Sequence, residues 1–257
     1  MSISLYLVGI GTGNPEHVTN QATRHLKKSD IIMLPRKGSA KNELADLRYQ
    51  ICEKLLGKAS PPIFEFDLPT RDCKKSYIVG VTEWHNTIAN IWQETINLAR
   101  SSLGRPLTRV GLLIWGDPSL YDSSTRIAER LNPRPHIRII PGITSLQALA
   151  AAHSIPLNDL AAPFLVTTGR RLSESGFPRD VDTVAVMLDG NCAFSQLKGT
   201  NFNIWWGAYL GMPSELILSG RLDEVSNTII ETRSAARKEH GWIMDTYLLK
   251  RNKKAEH

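Results

Sequence analysis

The residues best placed to do chemistry begin at Gly116-Asp117-Pro118. They close an apolar run, residues 109–115, that reads as a buried strand. Glycine relaxes the backbone there, proline fixes it, and one carboxylate is left at the strand's carboxyl end. In open α/β sheets, ligands bind outside the carboxyl ends of strands. Alone, the triplet reads equally well as a type I turn. Two other stretches have the same form. Gly9, Ile10, Gly11, Thr12, Gly13, Asn14 and Pro15 follow a first apolar run at 3–8. Pro141, Gly142, Ile143, Thr144 and Ser145 follow another at 137–140. The first is a loop whose backbone can approach a ligand closely. It is not a dinucleotide fingerprint: Asn14 stands at the third glycine position, and the nearest acid, Asp30, opens the second strand where the fingerprint needs one at its end. Thr144 or Ser145 can cap the helix that follows.

These loops need elements to hold them. Helical patterns at 19–28, 38–56, 77–103, 122–131 and up to 153 alternate with apolar strands at 3–8, 31–34, 63–66, 109–115 and 137–140. In the helix at 77–103, Val81, Trp84, Ile88, Ile91, Trp92 and Ala99 recur at helical spacing. Strand-helix alternation predicts a parallel sheet with helices on both faces. After Ile155-Pro156 strands dominate, at 164–168, 183–188, 204–210, 216–218 and 242–249, with one helix at 223–240. The expected fold is therefore α/β with two domains: a parallel-sheet domain over 1–155 and a mixed α+β sheet over 156–257. A ligand cleft is expected between them.

With 257 residues and 42% apolar content, the chain can bury a proper core. No apolar run is long enough for a membrane span, and residues 3–8 read as a first strand, not a leader. Cys52, Cys73 and Cys192 are widely separated and lack metal-ligand spacing, which suits a reducing cytoplasm and predicts no metal. The net charge of +6 favours an anionic partner. The basic residues are dispersed, without the clustering of a nucleic-acid face, and Lys253-Lys254 read as a solvated tail.

Taken in order, Val8 to Pro15, Trp115 to Tyr121 and Ile140 to Ser145, with a later Gly211-Met212-Pro213-Ser214-Glu215-Leu216, resemble the tetrapyrrole methylase family. The resemblance spans nearly the whole chain. It implies methyl transfer from S-adenosylmethionine to a ring carbon of an anionic corrin precursor, and a homodimer. Gly11 to His17, Phe66 to Asp72, Glu83-Trp84-His85, Trp115 to Asp122 and His240 to Asp245 resemble the branch that couples methylation at C-1 to loss of a two-carbon fragment as acetate. Trp115 replaces a more usual glycine, and Gly-Thr-Gly-Asn replaces Gly-Pro-Gly-Asp. Those departures put a different ring position in play without removing cofactor binding; an acceptor that is not a tetrapyrrole is a rival within the same fold. A protein that binds such a ligand without catalysis is a rival of another class.

By resemblance, Trp115, Gly116, Asp117, Leu120, Thr144, Ser145, Met187, Ala208, Tyr209 and Leu210 contact the cofactor. Each has a plainer role open to it as a turn, cap or core residue. Gly11, Thr12, Gly13, Asn14, Pro15 and Arg71 are expected at the substrate; Arg71 could form a bidentate pair with a carboxylate or stand idle on the surface. Methyl transfer needs mainly alignment, whereas loss of acetate needs an activated water. Asp67, His85 and Tyr121 are the candidates for that step. Tyr77 and Trp84 could wall the site, although helical spacing favours core packing for Trp84, and one of Trp205 and Trp206 should face the core.

Overall fold

The computed structural model describes residues 3–36, 42–70, 76–197 and 201–252. Arg71, the helix start expected at 38–41 and the tail lysines lie outside them. The chain divides into two compact units, 1–144 and 145–257.

The first unit holds strands β1 (Ser4–Gly9), β2 (Ile31–Arg36), β3 (Ile63–Asp67), β4 (Arg109–Ile114) and β5 (His136–Ile140), in the order β3-β2-β4-β1-β5. Every pairing is parallel. β1 and β4 are buried almost throughout, as strands covered on both faces must be. Alternate residues of β1 divide between two cores. Tyr6 and Val8 join Ala22 and Leu26 of α1 (Asn20–Lys27) and Ile51 and Leu56 of α2 (Asn42–Leu56). Leu5 and Leu7 join Ile88, Trp92 and Ile96 of α3 (Tyr77–Leu103) and Ile127 of α4 (Ser124–Ala128). The chain leaves β1 toward β2 on one side and leaves β4 toward β5 on the other. The adjacent carboxyl ends of β1 and β4 are thus a topological switch point, the usual ligand position of such sheets.

Two boundaries differ from expectation. β2 runs on through Pro35, which should have stopped it. Ile32 donates its N–H to Pro62, on the β3 side, so by alternation the nitrogen of Pro35 faces the β4 side, where pairing ends at Met33. Pro35 therefore removes no ladder bond. The helix expected at 122–131 is only Ser124–Ala128. Asp122 accepts the Ser124 N–H at its start (2.7 Å), and i−3 bonds from Arg130 and Leu131 tighten the chain into a turn after it. α3 ends on Gly104 at φ +61°, a left-handed cap.

The second unit holds β6 (Leu165–Thr168), β7 (Thr183–Met187), β8 (Phe202–Ala208), β9 (Leu216–Arg221) and β10 (Asp245–Arg251) in the order β6-β7-β10-β8-β9. Only β6 and β7 pair in parallel. Helix α5 (Ser145–His153) packs on β8, β9 and β10, with His153 bonded to the Trp206 carbonyl at 3.0 Å. Helix α6 (Gly169–Ser175) was not expected; Thr168 caps it by accepting the Arg171 N–H. Helix α7 (Leu222–His240) carries Arg233 into the core, where it meets Asp245. Trp206 is fully buried and Trp205 half-buried, the expected division across a strand. Among the described residues no helix is long and apolar enough to cross a membrane.

Candidate active site

The floor of the site is main chain. Gly11 and Gly116 form an antiparallel bridge: the Gly116 N–H donates to the Gly11 carbonyl (2.7 Å) and the Gly11 N–H donates back (3.3 Å). Both glycines have positive φ, +74° and +65°, which side chains rarely adopt. The loop after β5 lies against the same pair. A Cβ on Gly142 would stand 2.2 Å from the Gly116 oxygen, and one on Gly9 would stand 2.6 Å from the Gly142 nitrogen. Gly9, read from sequence as part of a loop that approaches a ligand, and Gly142 serve to let three loops touch. Gly116 differs: a Cβ there would meet only the Thr144 Cα, at 3.9 Å. Open space lies over it.

Asp117 ties these loops together. One carboxylate oxygen accepts the Ser119 N–H (2.8 Å) and hydroxyl; the other accepts the Gly142 N–H at 2.8 Å. The residue is buried. Burial pushes its pKa up, but the bonds from Ser119 and Gly142 outweigh it and hold the carboxyl below the usual range. Its first task is thus to organise the loops. Thr12, also buried, pairs its hydroxyl with His17, and Asn14 caps the 3-10 turn Pro15–His17 by accepting the Glu16 N–H. The structure brings together Gly11 to Pro15, Trp115 to Leu120 and Thr144.

Beside this floor, within the first unit, lies a cavity of about 340 Å³. Its walls are largely apolar, aliphatic and aromatic, and include Phe66, Trp84, Trp92, Trp115 and Tyr121, with Arg48 among them. Trp84 donates its indole N–H to the Pro69 carbonyl (2.7 Å); it lines the cavity and also packs against the core, the role its helical spacing favoured. Arg48 was missed by sequence reasoning, although a signal was there. It lies on the apolar stripe of α2, three residues from Ala45 and three from Ile51, both buried. An arginine within such a stripe is either paired or functional.

The candidates for activating water part company. Tyr121 lines the cavity, 45% exposed, at φ +50°. Burial raises its phenol pKa. Asp67 ends β3 and is exposed. His85 is enclosed, 4% exposed, and is absent from the cavity wall. Its Nε2 has no partner among the described residues. Burial, then the nearby Arg130 and Arg126, lower its pKa, so the ring is neutral. Tyr77 begins α3.

In the second unit, Ser145 opens α5 and Met187 ends β7, half-buried. Ala208, Tyr209 and Leu210 are buried. Tyr209 has φ +52° and donates its hydroxyl to the Trp242 carbonyl at 2.6 Å, so its side chain is a core strut.

The family model for Tetrapyrrole (Corrin/Porphyrin) Methylases matches residues 4–226. The chain belongs to the tetrapyrrole methylase family. A precorrin-6A synthase [deacetylating] of Sinorhizobium sp is 46% identical over 252 residues, which cover 96% of this tetrapyrrole methylase and 95% of that protein. Among solved structures, a cobalamin synthesis related protein (CobF) from Corynebacterium diphtheriae superposes with a TM-score of 0.80 at 34% identity, covering 97% of this chain and 99% of that one. A uroporphyrin-III-C-methyltransferase from Thermus thermophilus, at 21% identity and TM-score 0.62, covers 96% and 94% and shares the fold of this methylase. The two five-stranded sheets, one parallel and one mixed, are the architecture the sequence implied.

Proposed function

We propose that this methylase transfers a methyl group from S-adenosylmethionine to C-1 of precorrin-5 and releases acetate, giving precorrin-6A. The observation that carries this reading is the 46% identity to the Sinorhizobium enzyme over almost the full length of both chains. The cofactor suits the residues present: the space over Gly116, beside Thr144, is one that any side chain would fill.

The sulfonium supplies a methyl group already electrophilic enough for a ring carbon to attack, so the protein's part is alignment. Gly116, Asp117, Leu120, Thr144 and Trp115 in the first unit, and Ser145, Met187, Ala208, Tyr209 and Leu210 in the second, are the proposed cofactor residues. Asp117 acts by fixing the loop on which Gly116 sits. The loop from Gly11 to Pro15, bonded to Gly116, and Arg71 are proposed to receive the macrocycle. For deacetylation, water adds to the two-carbon acyl group, the bond from that group to the ring breaks, and the electron pair returns to the ring as acetate leaves. Tyr121, on the cavity wall, is the favoured proton-handling group, with Asp67 second; His85 is too enclosed to touch water. A cytoplasmic homodimer completes the reading, and light scattering at several concentrations tests the dimer.

The test of function is mass spectrometry of a reaction holding precorrin-5 and S-adenosylmethionine with a heavy methyl group, with acetate assayed in parallel. Heavy methyl in the ring together with free acetate is the expected result. Methyl transfer without acetate reassigns the chain to another ring position. Neither product, with cofactor binding intact, sinks the reading.

A further inference from the structure

Among the described residues Arg48 has no counter-charge. Its Nη1 donates to the Leu44 carbonyl at 3.1 Å, its guanidinium lies over the Trp115 ring at 5.6 Å, and its Nε is sealed from solvent with no acceptor among the described residues. No described carboxylate pairs with it. Burial brings its pKa down to about 10, so the group still carries its charge at neutral pH. A guanidinium has five N–H donors in a planar fork, and leaving it partly unsatisfied away from water is costly. A second donor on the same cavity, the Trp92 indole N–H, is also buried and has no partner among the described residues. Among the described residues of the wall the other charged one is Asp122, which uses one carboxylate oxygen to cap Ser124.

We propose that this cavity is a carboxylate site, in which Arg48, braced by Trp115, takes the head of a short carboxylic arm whose carbons lie against Phe66, Trp84 and Trp92. A bidentate arginine-carboxylate pair is among the stronger polar contacts, and the low-dielectric wall strengthens it. At about 340 Å³ the cavity is near the low end for small-molecule sites. It has room for an arm and not for a macrocycle. The arm is either a side chain of the bound ring or the acetate that leaves it. That choice rests on the function proposed above, whereas the carboxylate site itself does not.

The test is a titration of the intact protein with sodium acetate and sodium propionate, against sodium chloride at matched ionic strength, followed by tryptophan fluorescence. Three of the six tryptophans line the cavity. The expected result is a saturable change in the wild type, weakened at least tenfold in Arg48→Met and restored in part by Arg48→Lys. Circular dichroism melts show which variants are folded. If folded Arg48→Met, or failing that Arg48→Gln, titrates like wild type, or if no saturable change occurs in the wild type, the proposal is overturned. In turnover, a tenfold higher KM for precorrin-5 in the variant assigns the arm to the substrate; an unchanged KM with lost inhibition by acetate assigns it to the product. Failure of the wild type to methylate at all would count against the proposed function while leaving the acetate titration to judge the site.

Discussion

Asp117 accepts the main-chain N–H of Gly142 at 2.8 Å, across 25 residues of sequence, and so fastens the loop after β4 to the loop after β5. Asp117→Asn keeps the shape but turns one end into a donor, which then faces either the Gly142 or the Ser119 N–H. We expect a loss of about 1–3 kcal/mol in stability and at least tenfold in cofactor affinity, read by thermal melts and calorimetric titration. The folded pKa is depressed, so the ionised carboxylate stabilises the protein above its unfolded value and loses that effect only as pH falls into the acid range. Cofactor affinity should therefore be flat across neutral pH.

Gly142→Ala should be among the most damaging single-methyl additions in the chain, because its Cβ would lie 2.2 Å from a backbone oxygen that has nowhere to go. We expect about 3 kcal/mol or more. Gly190→Ala is the control: nothing lies within 4 Å of its Cβ and its φ is ordinary, so its melt should match wild type within about 0.5 kcal/mol.

Asp30 accepts hydrogen bonds from the Thr108 and Arg109 N–H groups (2.7 and 2.8 Å) and the Thr108 hydroxyl (2.9 Å), and meets Arg105. Burial alone would raise its pKa; the bonds overcome that and bring it to about 2. The stability it contributes is present above an unfolded pKa of about 4 and disappears as pH falls toward 2. Urea unfolding at pH 7 should show Asp30→Asn weaker by about 2 kcal/mol, with the gap closing below pH 4.

In the second unit Arg233 bonds Asp245 at 2.9 Å and the Asp189 carbonyl at 2.9 Å, while Trp206 donates to Asp245 at 3.0 Å. Both charges are nearly enclosed. Removing one leaves the other unpaired, so Arg233→Met and Asp245→Asn should each cost about 3–5 kcal/mol in thermal stability. Their coupling in a double-mutant cycle should be large, because the double variant leaves no orphan charge.

Tyr121→Phe should slow acetate release by about 100-fold with less effect on cofactor binding, the range expected for losing a proton-handling group. His85→Gln should leave acetate release within a few-fold of wild type. The reverse order, measured by a coupled acetate assay, would return the histidine to the reaction.

Much of the fold was legible because its signals are local. The α3 pattern marked Tyr77–Leu103, and the period of β1 sorted its side chains between two cores. The failures were tertiary in origin. Pro35 continues a strand only because pairing with β4 has already ended at Met33. The loops of the site could be read, but the reasons for their glycines could not. Gly9 and Gly142 are small for each other's sake, a relationship between residues far apart in sequence. Arg48 was readable in principle, as a charge on the wrong face of a helix.

The bridge between Gly11 and Gly116 has a consequence for how such a protein can change. The groups it commits are peptide groups, the same in every residue, so the frame that holds the loops is indifferent to which side chains stand beside it. Trp115 and Tyr121 hang from that frame, Arg48 meets Trp115 from α2, and all three can be exchanged without dismantling it. Preference for one acceptor over another can therefore drift by repainting the walls while the foundations stay as they are.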